Sequence, residues 1–458
     1  MRADVLVTLI VHFATAAVLA FGLLRSLERV RVYSALLAGL LGYQLLAVIA
    51  LSDLVAQFGI QVVATGEMAA LAGAVILVGT LEALATLDRS FVSRRVGDVV
   101  SATSSRPFVY LGISLAIIVA ILSISALRGS ALFELNWEQA RAESSFLTSV
   151  ATLLLFVAFP CAYVLWRSRH FGLAGFALLI AVSLTAVYGS RAALLTLPAV
   201  IALDMLSRGV FTRNARTLVL VGLGILGLVT LFHVTGRLIR GFGLAGLIAL
   251  ARGESLSAGE AGQLLSEIDW TGGESDIFEY FFFVVGQSSI PGVEAPATLW
   301  RWLLMYLPRS LVEGFKPLDP TYALWTHAAN SGLFEGEGFI AQVLDLLSVG
   351  DSGSIHPTFW GEAWMNGRWL GIVVMCMALA VTVHLLERLY VLLRPAAAVL
   401  CLPAAVVGYL MVARGNSTIG LGYIAYLLPV AVLAVLSASA ILRTLGIPSS
   451  ITGDVGSK

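Results

Sequence analysis

The chain has 458 residues, of which 59% are hydrophobic and 12% charged, with zero formal net charge and a mean hydropathy of +0.92. Water-soluble proteins average about 45–50% apolar and about 25% charged, so this composition excludes a single water-soluble core. The balanced charge gives no reason to expect a nucleic-acid partner.

Apolar stretches near the ~20 residues that a spanning helix needs recur along the chain. They predict eleven spans: 4–24, 33–52, 62–86, 108–127, 147–166, 172–188, 192–206, 217–235, 369–387, 396–413 and 418–442. The first begins almost at Met1 with no cleavage-site pattern, so it reads as a retained helix. The basic residues fall in alternate connections. Arg25, Arg29 and Arg31 follow the first span, and Arg89, Arg94, Arg95 and Arg106 follow the third. Arg167 and Arg169, then Arg208, Arg213 and Arg216, then Arg388 and Arg394 come next, and Arg443 and Lys458 close the chain. Positively charged connections stay in the cytoplasm, which places the N-terminus outside and the C-terminus inside.

This divides the chain into an N-terminal bundle of about eight spans (1–235), an extracytoplasmic cap (236–368) and about three C-terminal spans with a cytoplasmic tail (369–458). The cap is Trp-rich, acidic and long. Connections of that length are functional or disordered, and the aromatic content favours a folded cap of short helices, re-entrant around FEYFFFVVG (278–286). Cys161, Cys376 and Cys401 lie inside apolar runs and read as small core residues with no metal or disulfide spacing. No P-loop, dinucleotide fingerprint or zinc-protease pattern occurs, and no cofactor or metal is expected.

Several arginines sit on the side where positive charge is disfavoured. Arg191 lies in YGSRAALL, Arg237 and Arg240 in TGRLIRG, Arg414 in ARGNS, and Arg141 in the loop after the fourth span. An arginine fork matches a phosphate bidentately and stays charged. Such a set can bind an anion at bilayer depth; each residue taken alone can equally snorkel or pair structurally. The cap adds Arg309 and Lys316 in LPRSLVEGFKPLDP, His327 in WTHAANS, and His356, Glu362 and Asn366 in HPTFWGEAWMNGRWLG. His327 or Glu362 can serve as a general base, whereas His356 reads as an ordinary loop histidine.

The RVR after the first span, GSRAALL, LPRSLxxxxKP, HPTFWGEAWMNGRWLG and the late ARG, taken in order, resemble the Wzy-type oligosaccharide repeat-unit polymerases, which build O-antigen and related surface polysaccharides. The resemblance implies an all-α polytopic fold with a large helical external loop, related to GT-C glycosyltransferases. It also implies metal-independent glycosyl transfer facing the periplasm of a bacterial inner membrane. Its substrates are undecaprenyl-pyrophosphate-linked oligosaccharides, as donor and as acceptor, and a chain-length regulator protein is an expected partner. On this expectation Arg191, Arg237, Arg240 and Arg414 bind pyrophosphate, with Lys316 and Arg309 behind them. Glu362, His327 and Arg191 act at the reacting centre. An O-antigen ligase, whose catalytic histidine His327 resembles, and a lipid or polysaccharide transporter are the alternatives.

Overall fold

A computed structural model describes residues 3–29, 31–87, 146–188, 191–207, 277–304 apart from 292 and 294, 320–331, 356–393 and 395–444, with a few isolated positions besides. Every regular element among the described residues is an α-helix. That outcome follows from the composition: in hydrocarbon no water satisfies a backbone N–H or C=O, and a helix satisfies its own.

The helices are α1 (Ala3–Glu28), α2 (Ser34–Phe58), α3 (Ile60–Leu87), α4 (Phe146–Arg167), α5 (Phe171–Tyr188), α6 (Arg191–Leu194), α7 (Thr196–Ser207), α8 (Ile277–Gly286), α9 (Ala297–Leu304), α10 (Pro320–Asn330), α11 (Thr358–Met365), α12 (Arg368–Leu392), α13 (Pro395–Arg414) and α14 (Ser417–Thr444). Six of them, α1, α2, α3, α12, α13 and α14, are long and apolar enough to cross a membrane. Their outward faces carry large apolar side chains such as Ile49, 81% exposed, and Leu370, 70% exposed. Hydrocarbon tolerates such a surface, whereas water-soluble monomers rarely expose apolar patches of that extent. The chain is a multi-pass helical membrane protein.

The expected spans at 147–166 and 172–188 fall on α4 and α5. The spans expected at 108–127 and 217–235 lie outside the described residues, save for a few single positions. The expected span at 192–206 is instead two short helices, α6 and α7, interrupted at Leu195. Pro198 supplies the reason. It has no N–H to donate to the carbonyl of Leu194, and its ring crowds that carbonyl, so α6 ends there. The 12 residues of α7 cover only ~18 Å at ~1.5 Å per residue.

The chain forms two compact units that cut across the expected division. The first comprises residues 1–93, 269–389 and 406–423; the second comprises 94–268, 390–405 and 424–458. Within the first, α1, α2 and α3 pack together, and α8 and α11 pack on α2 and α3. Much of the expected cap therefore belongs to the same unit as the N-terminal helices. The segment FEYFFFVVG forms α8, whose ten residues are too few to span a bilayer. Phe282 closes against Gly66 of α3, where a Cβ would lie 2.7 Å from its ring, and Trp360 of α11 closes against Gly73, half-way along α3. Within the second unit, α4 packs against α5, α6 and α7. There Asp204 accepts a hydrogen bond from the Tyr163 hydroxyl at 2.6 Å and lies 3.7 Å from Arg167.

The basic turn after α1 is neutralised by acids from other helices. Arg29 meets Glu82 at 3.0 Å, Arg31 meets Glu387 at 3.3 Å, and the Tyr33 N–H donates to the same Glu387 carboxylate at 3.1 Å. These bonds place the start of α2, the end of α3 and the end of α12 at one face of the first unit. The α2–α3 turn at Gly59 and the start of α12 lie at the far ends of the same helices. The positive-inside rule assigns the Arg29–Arg31 face to the cytoplasm. A cysteine replacing Ala56 is therefore expected to react with a membrane-impermeant maleimide added outside intact cells, and one replacing Glu28 only after permeabilisation. Cys161, Cys376 and Cys401 are all buried, which keeps the background low, and the opposite labelling pattern would reverse the orientation.

Candidate functional site

The segment HPTFWGEAWMNGRWLG builds the centre of the first unit. Residues 358–364 of α11 are all buried, among them Phe359 and Trp360. A short helix inserted this way leaves terminal polar groups that require partners inside the protein. Asn366 meets that need at the C-terminus of α11. Its Nδ2 donates to the Glu362 carbonyl at 2.7 Å and to Thr298 Oγ1 at 2.8 Å, while its Oδ1 accepts from the Thr298 N–H at 2.8 Å. Asn366 thereby fastens α11 to α9. The turn into α12 is equally close: a Cβ on Gly371 would lie 2.2 Å from the Ala363 carbonyl, so only glycine lets the two backbones meet.

Glu362 fastens the opposite side. Its side chain is 1% exposed, and Oε2 accepts from the Ser417 N–H at 3.0 Å while Oε1 accepts from the Ser417 hydroxyl. Ser417 Oγ in turn accepts from the Trp302 indole N–H at 2.9 Å. Ser417 opens α14, so the carboxylate lies at a helix N-terminus, where negative charge is favoured. Asn416 caps the same end, its Oδ1 accepting from the Ile419 N–H at 3.3 Å. Between α13 and α14, Gly415 has φ +98° and stands so close to Thr358 that a Cβ would lie 2.5 Å from the Thr358 carbonyl oxygen. Thr358 itself has φ +60°, an unusual conformation for a β-branched residue.

This turn presents Arg414, the last residue of α13, beside the start of α11. Arg414 is half-buried. His356 is buried in the same place, and its imidazole is pushed down to about 3, first by burial and then by the Arg414 charge. It is therefore neutral at physiological pH. The unit thus gathers a cation, a neutral imidazole, a sealed carboxylate and an amide from α11 and the α13–α14 turn.

The other expected site residues stand differently. His327 is in the last turn of α10, half-buried, with Nε2 3.4 Å from Gln287 Oε1 and its ring centre 5.7 Å from that of Phe283. Helix α10 packs against α11. Arg191 is the first residue of α6 and belongs to the second unit. Arg237, Arg240, Arg309, Lys316 and Arg141 lie outside the described residues. Sequence reasoning missed Ser417, Trp302 and Thr298. The only legible signal for Ser417 was its place directly after RGN, at a helix start. Of the two expected bases, Glu362 has both oxygens engaged by Ser417, whereas His327 makes the longer 3.4 Å contact with Gln287.

Among the described residues no group of three or more His, Cys, Asp or Glu side chains is arranged to hold a metal. The geometry defines a helical membrane protein with a charged cluster set into its bundle. Comparison with protein-family models, curated proteins and solved structures finds no match.

Replacing Glu362 by Ala removes both hydrogen bonds from Ser417 and strands its buried N–H and hydroxyl, which is expected to cost roughly 3 kcal/mol. Unfolding in detergent measures it, and Glu362→Gln, which keeps the shape, is expected to lose less. His356 gives a pH effect of defined sign. Its folded value lies below the ordinary histidine range, so the unfolded chain binds the extra proton between about pH 6.5 and about pH 3. Stability that is full above the ordinary histidine range is therefore lost as pH falls through that window. His356→Gln is expected to show a flatter fall in Tm over the same range.

Proposed function

We propose that this protein polymerises undecaprenyl-pyrophosphate-linked oligosaccharide repeat units at the periplasmic face of a bacterial inner membrane. The observation that carries the reading is the convergence of Arg414, His356, Asn366 and Glu362 in one unit. These residues come from two of the sequence segments that resemble the polymerases. The cluster lies toward the end of the helices opposite the Arg29–Arg31 turn, which suits a lipid-borne pyrophosphate approaching from outside.

In the proposed reaction, a hydroxyl at the non-reducing end of the incoming repeat unit attacks the anomeric carbon of the growing chain. The new glycosidic bond forms as the bond from that carbon to the pyrophosphate oxygen breaks. Undecaprenyl pyrophosphate leaves with the electron pair, and His327 takes the hydroxyl proton. Arg414 binds the pyrophosphate and stabilises the charge that grows on it; the sequence resemblance assigns Arg191, Arg237 and Arg240 to the same task, with Arg309 and Lys316 as a second rank. Stabilisation of developing charge is commonly the largest catalytic contribution. Tethering both substrates in one bilayer adds proximity. Glu362 holds Ser417 and hence the turn that aims Arg414, and a neutral His356 leaves that guanidinium without a competing cation.

The test is extension of a lipid-linked repeat unit by the purified protein in liposomes. Wild type is expected to give a ladder of longer lipid-linked products. Arg414→Lys is expected to slow it by roughly tenfold to a hundredfold, the loss of one charge-assisted hydrogen bond, and Arg414→Ala to slow it further while still eluting as a folded protein. Absence of longer products from folded wild type, or full activity in Arg414→Ala, rejects the reading. Glycan transfer only when lipid A-core is supplied would assign the chain to the ligases instead.

A further inference from the structure

A second polar cluster lies among α1, α2 and α3. His12, Gln44 and Glu67 are 0%, 2% and 1% exposed. A rise of ~1.5 Å per residue puts each of them roughly 10 Å or more from either end of its helix. The three side chains form a closed triangle. His12 Nδ1 is 2.9 Å from Glu67 Oε1, Gln44 Nε2 is 2.9 Å from Glu67 Oε2, and Gln44 Nε2 is also 2.9 Å from His12 Nδ1. The remaining ring nitrogen, His12 Nε2, is buried with no hydrogen-bond partner among the described residues. Ionisable groups inside a membrane bundle are costly and are commonly functional.

The triangle is informative because Gln44 Nε2 can only donate, and His12 Nδ1 either donates or accepts. If Glu67 is ionised, Nδ1–H donates to it, and the Gln44–His12 contact then sets two donors against each other. If Glu67 is protonated, Oε1–H donates to Nδ1. Gln44 then donates to Oε2, and its second N–H faces the Nδ1 lone pair, which it shares with Oε1–H, so the clash between two donors is relieved. The two states differ by one proton. It is gained at the unpartnered Nε2 while the Nδ1 proton passes to Glu67, so the imidazole changes tautomer and the carboxylate becomes neutral. We propose that His12, Gln44 and Glu67 form a proton-binding site within the helical bundle, with His12 Nε2 as its entry and Glu67 as its acceptor.

No other titratable group among the described residues bonds to the triad. On α1 to α3 the remaining acids are Asp4, Glu28, Asp53 and Glu82, near the helix ends, with Arg25 and Tyr43 the other titratable groups. On the helices packed against α3, Glu279 of α8 accepts from Gln57, and Glu362 of α11 is held by Ser417. The α8 residue Tyr280 is the one further titratable group on those two helices; α12 also packs on α3 at Gly73 and α13 on α2 at Gly39, and they carry Cys376, His384, Glu387, Arg388 and Tyr390, and Cys401, Tyr409 and Arg414. The Phe13 ring stands edge-on to the imidazole at 5.7 Å, which keeps that side apolar.

The experiment is infrared difference spectroscopy of the full-length protein in liposomes between about pH 5 and about pH 9. A protonated-carboxyl band is expected to rise on the acid side and vanish on the alkaline side. The component carried by Glu67 is expected to be lost in Glu67→Gln, leaving only the contribution of the other buried carboxyls such as Glu387, and to move in His12→Gln. A band that follows sodium or potassium rather than pH, or pH-difference spectra that are the same in wild type and Glu67→Gln, overturns the proposal. Nitrogen NMR of histidine-labelled wild type needs no folded variant. A His12 that keeps one tautomer across the whole range also overturns it.

Discussion

The bond between the Glu362 carboxylate and Ser417 joins two segments 55 residues apart on which the first unit depends. A buried carboxylate is tolerable only when its lone pairs are met, and here a helix N-terminus and a hydroxyl meet them. Through this contact α11 is tied to the turn between α13 and α14. Through Asn366 the same helix is tied to α9, and through Gly371 to α12. The short helix is thus held at both ends and on its flank, and the positions of Arg414 and His356 follow from it.

The same constraint explains the other polar contacts. Arg29 and Arg31 carry charge at one face of the unit and find Glu82 and Glu387 there. His12, Gln44 and Glu67 cannot reach either face and bond to one another, with His12 Nε2 left unmet among the described residues. Where polar groups lie deep, the protein brings several together; where they lie at helix ends, single ion pairs suffice. The difference is the distance to water, which sets the cost of an unmet partner.

Much of the helical framework was legible. Apolar runs correspond to α1, α2, α3, α12, α13 and α14, because hydropathy and backbone self-satisfaction act on contiguous residues. The run at 192–206 is helical but interrupted at Leu195, a break that hydropathy does not register. The segment carrying Glu362 and Asn366 stood out by its density of Trp, Gly and polar residues. The part played by Glu362 did not, since a free base and a sealed clamp have the same one-residue signature.

The sequence by itself determined that the chain is a bundle of apolar helices, and it singled out Arg414 and Glu362 as candidate site residues while reading His356 as an ordinary loop histidine. Composition and local patterning suffice for that, because they depend on neighbours along the chain. Only the tertiary structure decided that Arg414, His356, Glu362 and Asn366 belong together, that Ser417 and Trp302 complete their network, and that His12, Gln44 and Glu67 form a second one. Those contacts join positions far apart along the chain. Pairing at such separation is fixed by side-chain packing and by the need of each buried polar atom for a partner, neither of which is written in any single segment.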